Sequence, residues 1–432
     1  MTPQLSLKQT LALFCYSLLW LILTPFTLCH FIVHYLRKKS GYSILRLSRY
    51  GLLFTQKISK QGILIHCSSV GEVVAVQTLV ERLLDINPEQ GIIISTSTTT
   101  GAERVNLLFE GRVKHVYFPY DFPLFVTSFI RRLAPKKILI NEMELWPNFS
   151  RACNKAQIPI YIINGRMSDK SKVTYRKFPS LFSPMFANFS AICAQGQRDY
   201  DNYLDLGVDR NRLFLTNNIK FDLSFSDTDI KTTEVIKHTF TIGHRDILVG
   251  ASTHAPEEQL LIDAYLPLIR QYPNLLLIIV PRHPQRFEKV YQLLKGQNIQ
   301  VNLMSELKPC DDSTQVLLCN QMGKLRAIYA LADIAFVGGS LADRGGHNAL
   351  EPAAVGVPMI MGPSRYNNPA ICAALESAKA LRNVENTEDI KSAFQDWLNN
   401  PTQRKTAGAA GKQVLEKNGG AIEKTLELIY SS

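Results

Sequence analysis

Short apolar runs bounded by glycine, proline or polar residues alternate along this chain with stretches whose apolar positions recur every three or four residues. The first pattern predicts buried strands and the second amphipathic helices. In the first half the strand candidates are Gly62 to His66 (GILIH), GIIIST, VKHVYFP, KKILIN, IPIYIIN and FSAICA. In the second half they are DILVGAS (Asp246 to Ser252), LLLIIV, QVLLC, DIAFVGG and VPMIMGP. Strands that alternate with helical stretches such as VAVQTLVERLL predict an α/β fold with doubly wound parallel sheets. NNIKFD (Asn217 to Asp222) closes the first domain, and the polar stretch LSFSDTDIKTTE is the predicted linker. From Asn386 onward the pattern predicts helices.

One segment breaks this rhythm. Leu11 to Val33 is twenty-three residues without a formal charge, long enough to span a bilayer. No small-x-small cleavage pattern follows it, so the reading is a membrane-embedded or interfacial anchor rather than a cleaved signal. Arg37, Lys38, Lys39, Arg46 and Arg49 follow the segment and only Lys8 precedes it. That bias places the rest of the chain in the cytoplasm.

The chain has 432 residues and a formal charge of +11. Its length favours two domains. Eight Lys/Arg and no Asp/Glu precede His66, so the positive excess sits beside the apolar segment. This favours an anionic membrane surface or lipid as partner, and no nucleic-acid-binding motif is present. The eight cysteines are scattered without a CxxC or Cys/His cluster, which argues against a zinc site and fits a reducing compartment.

Candidate chemistry concentrates after the predicted strands. Asp333 to Pro363 reads as strand, glycine loop, helix start and strand. Its GGHN loop and the helix beginning LEP lie beyond the carboxyl end of a strand, where backbone amides suit a phosphate. Glu351, just inside the helix, is either an acceptor for a ribose diol or an acid that only offsets the helix dipole. Arg282 in VPRHPQRF suits bidentate phosphate contact, and Met322, Gly323 and Lys324 open another predicted helix. The three loops are expected to meet at one edge of the sheet as a nucleotide pocket.

In the first domain Glu72 lies in SSVGEV, between strand and helix. It is either a base for a substrate hydroxyl or the acid of an S-x-x-E capping box. Glu142 and Glu144 in NEMELWPN share one side if the strand continues through them. Lys220 in NNIKFD would stabilise negative charge on a leaving phosphate, or is a surface lysine near a linker.

Taken in order, HCSSVGEV, NEMELWPN, NGRMSDKS, NNIKFD, GASTHAPEE, VPRHPQRF, MGK with LADIAFVGGS, and GGHNALEP resemble the Kdo (3-deoxy-D-manno-octulosonic acid) transferases of lipopolysaccharide core assembly. The resemblance implies a GT-B fold of two Rossmann-like domains with a cleft between them. It implies an anchor over 1–36, an acceptor domain over 37–230 and a CMP-Kdo donor domain over 231–432. It implies inverting transfer of Kdo from CMP-Kdo to a tetraacyl lipid A precursor, lipid IVA, at the cytoplasmic face of the inner membrane. The family's base falls on Glu72 and its transition-state stabilisers on Glu142 and Lys220. Its CMP contacts fall on Pro281 and Arg282, on Met322 to Lys324, and on Asn348, Ala349, Leu350 and Glu351. CMP-Kdo is a substrate here, and no cofactor or catalytic metal is implied. The basic stretch from Arg37 to Lys60 is placed to meet the acceptor's phosphates.

Three departures stand out. The usual MGE is MGK, the usual NPLEP is NALEP, and the usual GNIK is NNIK, where Asn217 must supply the turn that glycine gives elsewhere. Rival readings are a membrane-associated GT-B enzyme using a UDP-sugar, a GT-B-fold sugar-nucleotide epimerase, and a non-catalytic tether.

Overall fold

The computed structural model describes residues 5–39, 42–52, 61–223 and 225–431. The expected α/β class holds: the chain forms two compact units, each built on a seven-stranded parallel sheet. The first unit comprises Met1–Asp222 with Gly419–Ser432, and the second Leu223–Asn418.

Strands of the first sheet are β1 (Ile63–Cys67), β2 (Ile92–Thr96), β3 (Lys114–Tyr117), β4 (Lys137–Asn141), β5 (Ile160–Gly165), β6 (Phe189–Ala194) and β7 (Leu213–Leu215). Their order is β3-β2-β1-β4-β5-β6-β7. Six match the apolar runs. β7 escaped the pattern because three residues, one of them exposed, carry too little periodicity. The strands are buried on both faces, as parallel strands covered by helices must be. One core packs Leu64, Ile138 and Ile162 against Phe129 and Phe149, and the other packs Ile63, Ile65 and Ile94 against Leu79 and Leu83.

The second sheet holds β8 (Asp246–Thr253), β9 (Leu275–Pro281), β10 (Val301–Leu303), β11 (Val316–Leu318), β12 (Ile334–Val337), β13 (Met359–Met361) and β14 (Leu381–Asn383). Their order is β10-β11-β9-β8-β12-β13-β14. β10 and β14, the edge strands, were not legible as apolar runs. Trp397, Tyr265 and Phe336 fill the core on one face.

Two sequence expectations need correction. The predicted linker is mostly a helix, Asp227–Thr239, because Ser226 and Asp229 form a capping box and Thr233 and Ile236 are buried. The domain division also moves. The first unit ends at Asp222 rather than 230, and Gly419–Ser432, assigned by sequence to the second domain, returns to the first. Asp222 accepts the N–H groups of Gly420 and Ile422, which caps helix Ala421–Tyr430. That helix buries Ile422, Leu426 and Ile429 in the core beside β1. Helix VAVQTLVERLL is likewise two helices, Val70–Ala75 and Gln77–Ile86, meeting at Val76.

Helix Leu7–Leu36 covers the apolar segment and is long and apolar enough to cross a membrane. Ser6 and Gln9 cap its start reciprocally. Arg37 to Lys39 follow it, whereas 53–60, including the Lys57 and Lys60 expected to meet phosphates, lie outside the described residues.

Candidate active site

Both sheets are parallel throughout, so each gathers its carboxyl-end loops on one edge, the edge where open α/β sheets bind ligands. The sequence-predicted residues fall on these two edges.

On the first edge, β1 delivers His66 and then Ser68, Ser69 and Glu72. Ser69 caps helix Val70–Ala75, its Oγ accepting the Glu72 N–H at 3.3 Å. The Glu72 carboxylate turns back and accepts the Ser68 N–H at 3.0 Å, the Ser69 hydroxyl at 3.2 Å and the Ser68 hydroxyl. Half of the capping box therefore exists, but the carboxylate bonds one residue further back than such a box requires. Glu72 is 8% exposed. Burial pushes its carboxyl up, against the Ser68 bonds, and the negative charge of Glu142 adds to the rise. A buried carboxylate raised in this way is a stronger base than one in water.

β4 ends at Asn141, and Glu142 takes a left-handed φ of +59°. The strand alternation expected to align Glu142 and Glu144 therefore does not apply, and the two acids separate in role. Glu144 Oε2 meets His66 Nε2 at 2.7 Å and accepts the Trp146 indole N–H at 3.0 Å. Burial pushes the Glu144 carboxyl up, but the His66 bond and charge outweigh it and hold it below its usual range. His66 is fully buried, stacks on Phe118 with centroids 4.0 Å apart, and places Nδ1 3.0 Å from Ser95 Oγ. The pattern reading passed over His66 because it ends an apolar strand. Asp121, in the loop after β3, was passed over too; it accepts the Asn148 and Phe149 N–H groups at 2.9 and 2.8 Å and so fixes the helix after Trp146. Burial pushes its carboxyl up to about 7.

Lys220 lies after β7, four strands along the edge from β1. Its loop folds back, since the Ile219 N–H donates to Asn164 Oδ1 at the end of β5. Asn218 Oδ1 accepts the Lys220 N–H at 3.0 Å. Asn217 has φ +71°, so asparagine supplies the left-handed turn here, as asparagine does more readily than most residues.

On the second edge, β9 leads to Pro281 and Arg282, β11 to Met322, Gly323 and Lys324, and β12 to the glycine loop and Asn348 to Glu351. The three loops meet along one edge, as their shared strand direction requires. Asn348 Oδ1 accepts the Leu350 N–H at 3.2 Å, and its amide donates to Glu351 Oε1 at 3.4 Å. Burial pushes the Glu351 carboxyl up, while Arg326, Asn348 and Arg282 pull it back. The helices here are short. GKLRAIYALAD is helical only over Leu325–Tyr329, with Lys324 as N-cap and no side-chain cap bond, and LEPAA covers Leu350–Ala354.

What holds this edge together is a residue the sequence did not single out. Glu257 is fully buried. Its carboxylate accepts the N–H groups of Gly339, Ser340, Leu341 and Ala342 at 2.9 to 3.3 Å, and that of His254 at 2.9 Å. One carboxylate thus satisfies the loop that follows β12. Gly338 is obligatory beneath it, since a Cβ there would meet the Ser252 carbonyl oxygen at 2.5 Å. His254 and His347 face each other with Nε2 atoms 2.9 Å apart. Burial and the neighbouring arginines push His254 down to about 4 and His347 down to about 3. With both imidazoles uncharged, the positive charge acting on this pair comes from arginines, Arg282 among them. Among the described residues no group of three or more His, Cys, Asp or Glu is arranged to hold a metal ion.

Two parallel-sheet units with carboxyl-edge loops of this kind define the GT-B class of glycosyltransferase folds. Comparison with known proteins agrees. The uridine diphosphate N-acetylglucosamine 2-epimerase of Neisseria meningitidis matches with a TM-score of 0.58, covering 86% of this chain and all of that one at 14% identity, which speaks for the fold alone. A family model described as 3-deoxy-D-manno-octulosonic-acid transferase (kdotransferase) matches residues 46–223, and one for glycosyl transferases group 1 matches 248–414. A 3-deoxy-D-manno-octulosonic acid transferase of Haemophilus influenzae is 38% identical over 418 residues, 96% of this chain and 97% of its own. One of Bordetella pertussis is 29% identical over 391 residues, covering 84% and 86%. The chain belongs to the Kdo transferase family, and it is a glycosyltransferase.

Proposed function

We propose that this enzyme transfers Kdo from CMP-Kdo to a tetraacyl lipid A precursor, lipid IVA, in lipopolysaccharide inner-core synthesis, with inversion at the anomeric carbon. The first unit takes the acceptor and the second the donor. Glu72 removes the proton of an acceptor sugar hydroxyl. The oxygen attacks the Kdo anomeric carbon as the bond to the CMP phosphate breaks, and the electron pair leaves with CMP. Lys220 and backbone amides bear the charge that develops on the phosphate. Glu142 keeps the Glu72 carboxyl basic through its charge. Arg282 meets the CMP phosphate, and Glu351 accepts from the ribose. No metal takes part in this scheme. The positive flank of the N-terminal helix supports placement on the cytoplasmic face of the inner membrane, against anionic lipid.

The observation that carries this reading is Glu72, buried at a sheet edge with both oxygens held and its carboxyl raised. Purified protein with CMP-Kdo and lipid IVA, followed by mass spectrometry, tests it. The expected result is a mass gain of one or more Kdo units with release of CMP. Glu72→Gln keeps the cap and cannot act as a base, so it should bind CMP-Kdo normally with turnover at least 100-fold lower, the usual scale of a lost general base. Glu351→Gln should instead weaken donor binding. No mass gain, or the reverse pattern in the two variants, refutes the reading. Product inhibition by UDP in place of CMP would point to a UDP-sugar donor.

A further inference from the structure

The motif NGRMSDKS supplies neither the base nor a stabilising group, yet its first residue, Asn164, lies between the loops that carry Glu142 and Lys220. Asn164 is fully buried at the end of β5. The ladder between β5 and β6 is irregular there. Ile162 pairs with Ile192 and Gly165 with Ala194, an advance of three residues on β5 against two on β6. The extra residue makes a β-bulge, a device that re-aims side chains at a sheet edge. Within it Asn164 takes a left-handed φ of +51°. Glu142 after β4 and Asn217 after β7 share that conformation, at +59° and +71°. Non-glycine residues keep such φ values only where surrounding bonds over-determine them, and they gather at functional sites.

The bonds here come from one dipeptide. The Ile163 carbonyl accepts the Glu142 N–H at 2.9 Å. The Asn164 carboxamide oxygen accepts the Ile219 N–H at 3.2 Å. Ile219 directly precedes Lys220 and is buried in the core beside β1. The rest of the Lys220 loop is pinned to the end of β6. The Thr216 N–H donates to the Ala194 carbonyl at 3.1 Å, and the Asn218 amide donates to Gln195 Oε1 at 2.9 Å. Gln195 in turn donates its N–H to the Gly165 carbonyl at 3.0 Å. Ile163 and Asn164 therefore set the spacing between the Glu142 and Lys220 backbones. Asn164 Nδ2 meets no partner among the described residues. A buried amide kept at that cost marks its acceptor oxygen as what the position needs.

We propose that Asn164 is a positioning residue for the transfer: the bulge at the end of β5 holds the Lys220 loop at a fixed place relative to Glu142. The proposal rests on the role given to Lys220 in that transfer. A catalytic group displaced by about 1 Å loses on the order of 100-fold in rate.

The full chain, assayed for Kdo transfer from CMP-Kdo to lipid IVA, tests it. Asn164→Gly keeps the left-handed backbone and removes the acceptor oxygen. It should lower kcat on the order of 10- to 100-fold while KM for both substrates stays nearly unchanged. Lys220→Met should lower kcat by itself, and Asn164→Gly should add little to it, because a misplaced group and a missing one lose the same interaction. Ile219→Pro deletes the same bond from the donor side, at the first residue of the turn Ile219–Phe221, where proline is admitted. It should show the same fall in kcat and the same lack of additivity with Lys220→Met, which keeps the test decisive if Asn164→Gly does not fold. Wild-type kcat in the bond-deleting variants, a loss confined to KM, or losses that multiply in the double variant overturn the proposal and leave the role of Lys220 standing. Full kcat in Lys220→Met overturns that role, and the proposal with it.

Discussion

Glu72 shows why a residue's type and spacing leave its role open. S-x-x-E at a strand end is written identically by a capping box and by a base, and here the Ser69 side chain caps while the Glu72 carboxylate is buried and raised. The Ser68 hydroxyl and N–H bonds pull that carboxyl down against burial. Ser68→Ala removes one of them, so the acidic limb of the pH profile of kcat/KM should move to higher pH. A limb that moves down or stays fixed would separate that limb from Glu72. Glu257 is the converse case. Two acids opening a helix read as a favourable dipole pairing, yet the fold spends Glu257 on the amides of a loop more than eighty residues away. Bonds to a charged acceptor contribute about 1.5–3 kcal/mol each. Glu257→Gln, with one acceptor oxygen in place of two, should cost about 2–3 kcal/mol by denaturant unfolding and weaken CMP binding together with it.

At the scale of elements, the long apolar runs were legible because five of the first sheet's seven strands bury both faces almost continuously. The edge strands β7, β10 and β14 have three residues each and leave no periodic trace. Helix Asp227–Thr239 was masked by its polar composition, although its capping box was present in the sequence. Packing distance is equally silent. Helix Pro401–Asn418 rests on the turn before β13 so closely that a Cβ at Gly408 would overlap the Gly356 carbonyl oxygen, whereas one at Gly411 would only touch Ala380 and Ala353 at 3.3 to 3.4 Å. Overpacking of this kind costs about 1–3 kcal/mol or more. Thermal unfolding should show Gly408→Ala clearly destabilised and Gly411→Ala much less so.

At the scale of the molecule, helix Ala421–Tyr430 belongs to the core of the first unit although it ends the chain. Leu426→Ala deletes a buried leucine, a change of about 2–5 kcal/mol. Limited proteolysis should find the first unit cleaved sooner and the second as resistant as before. The pair His254 and His347 sets a pH dependence for the second unit. Both imidazoles titrate below the ordinary 6.5 in the folded state. Between that value and pH 4 the unfolded chain therefore binds protons that the folded chain refuses, so stability is full above pH 6.5 and falls as the pH drops. A His254→Asn, His347→Asn double variant should flatten the melting temperature across that window. The sequence by itself determined the α/β class, the parallel sheets, the apolar N-terminal helix and the loops that carry the site, because burial periodicity and strand-end chemistry are local properties. Only the tertiary structure decided that Glu144 pairs with His66, that Glu257 holds the glycine loop and that the last helix returns to the first unit. Each of these joins residues far apart in the chain, and no local pattern encodes which distant partner a buried charge or an apolar face will find.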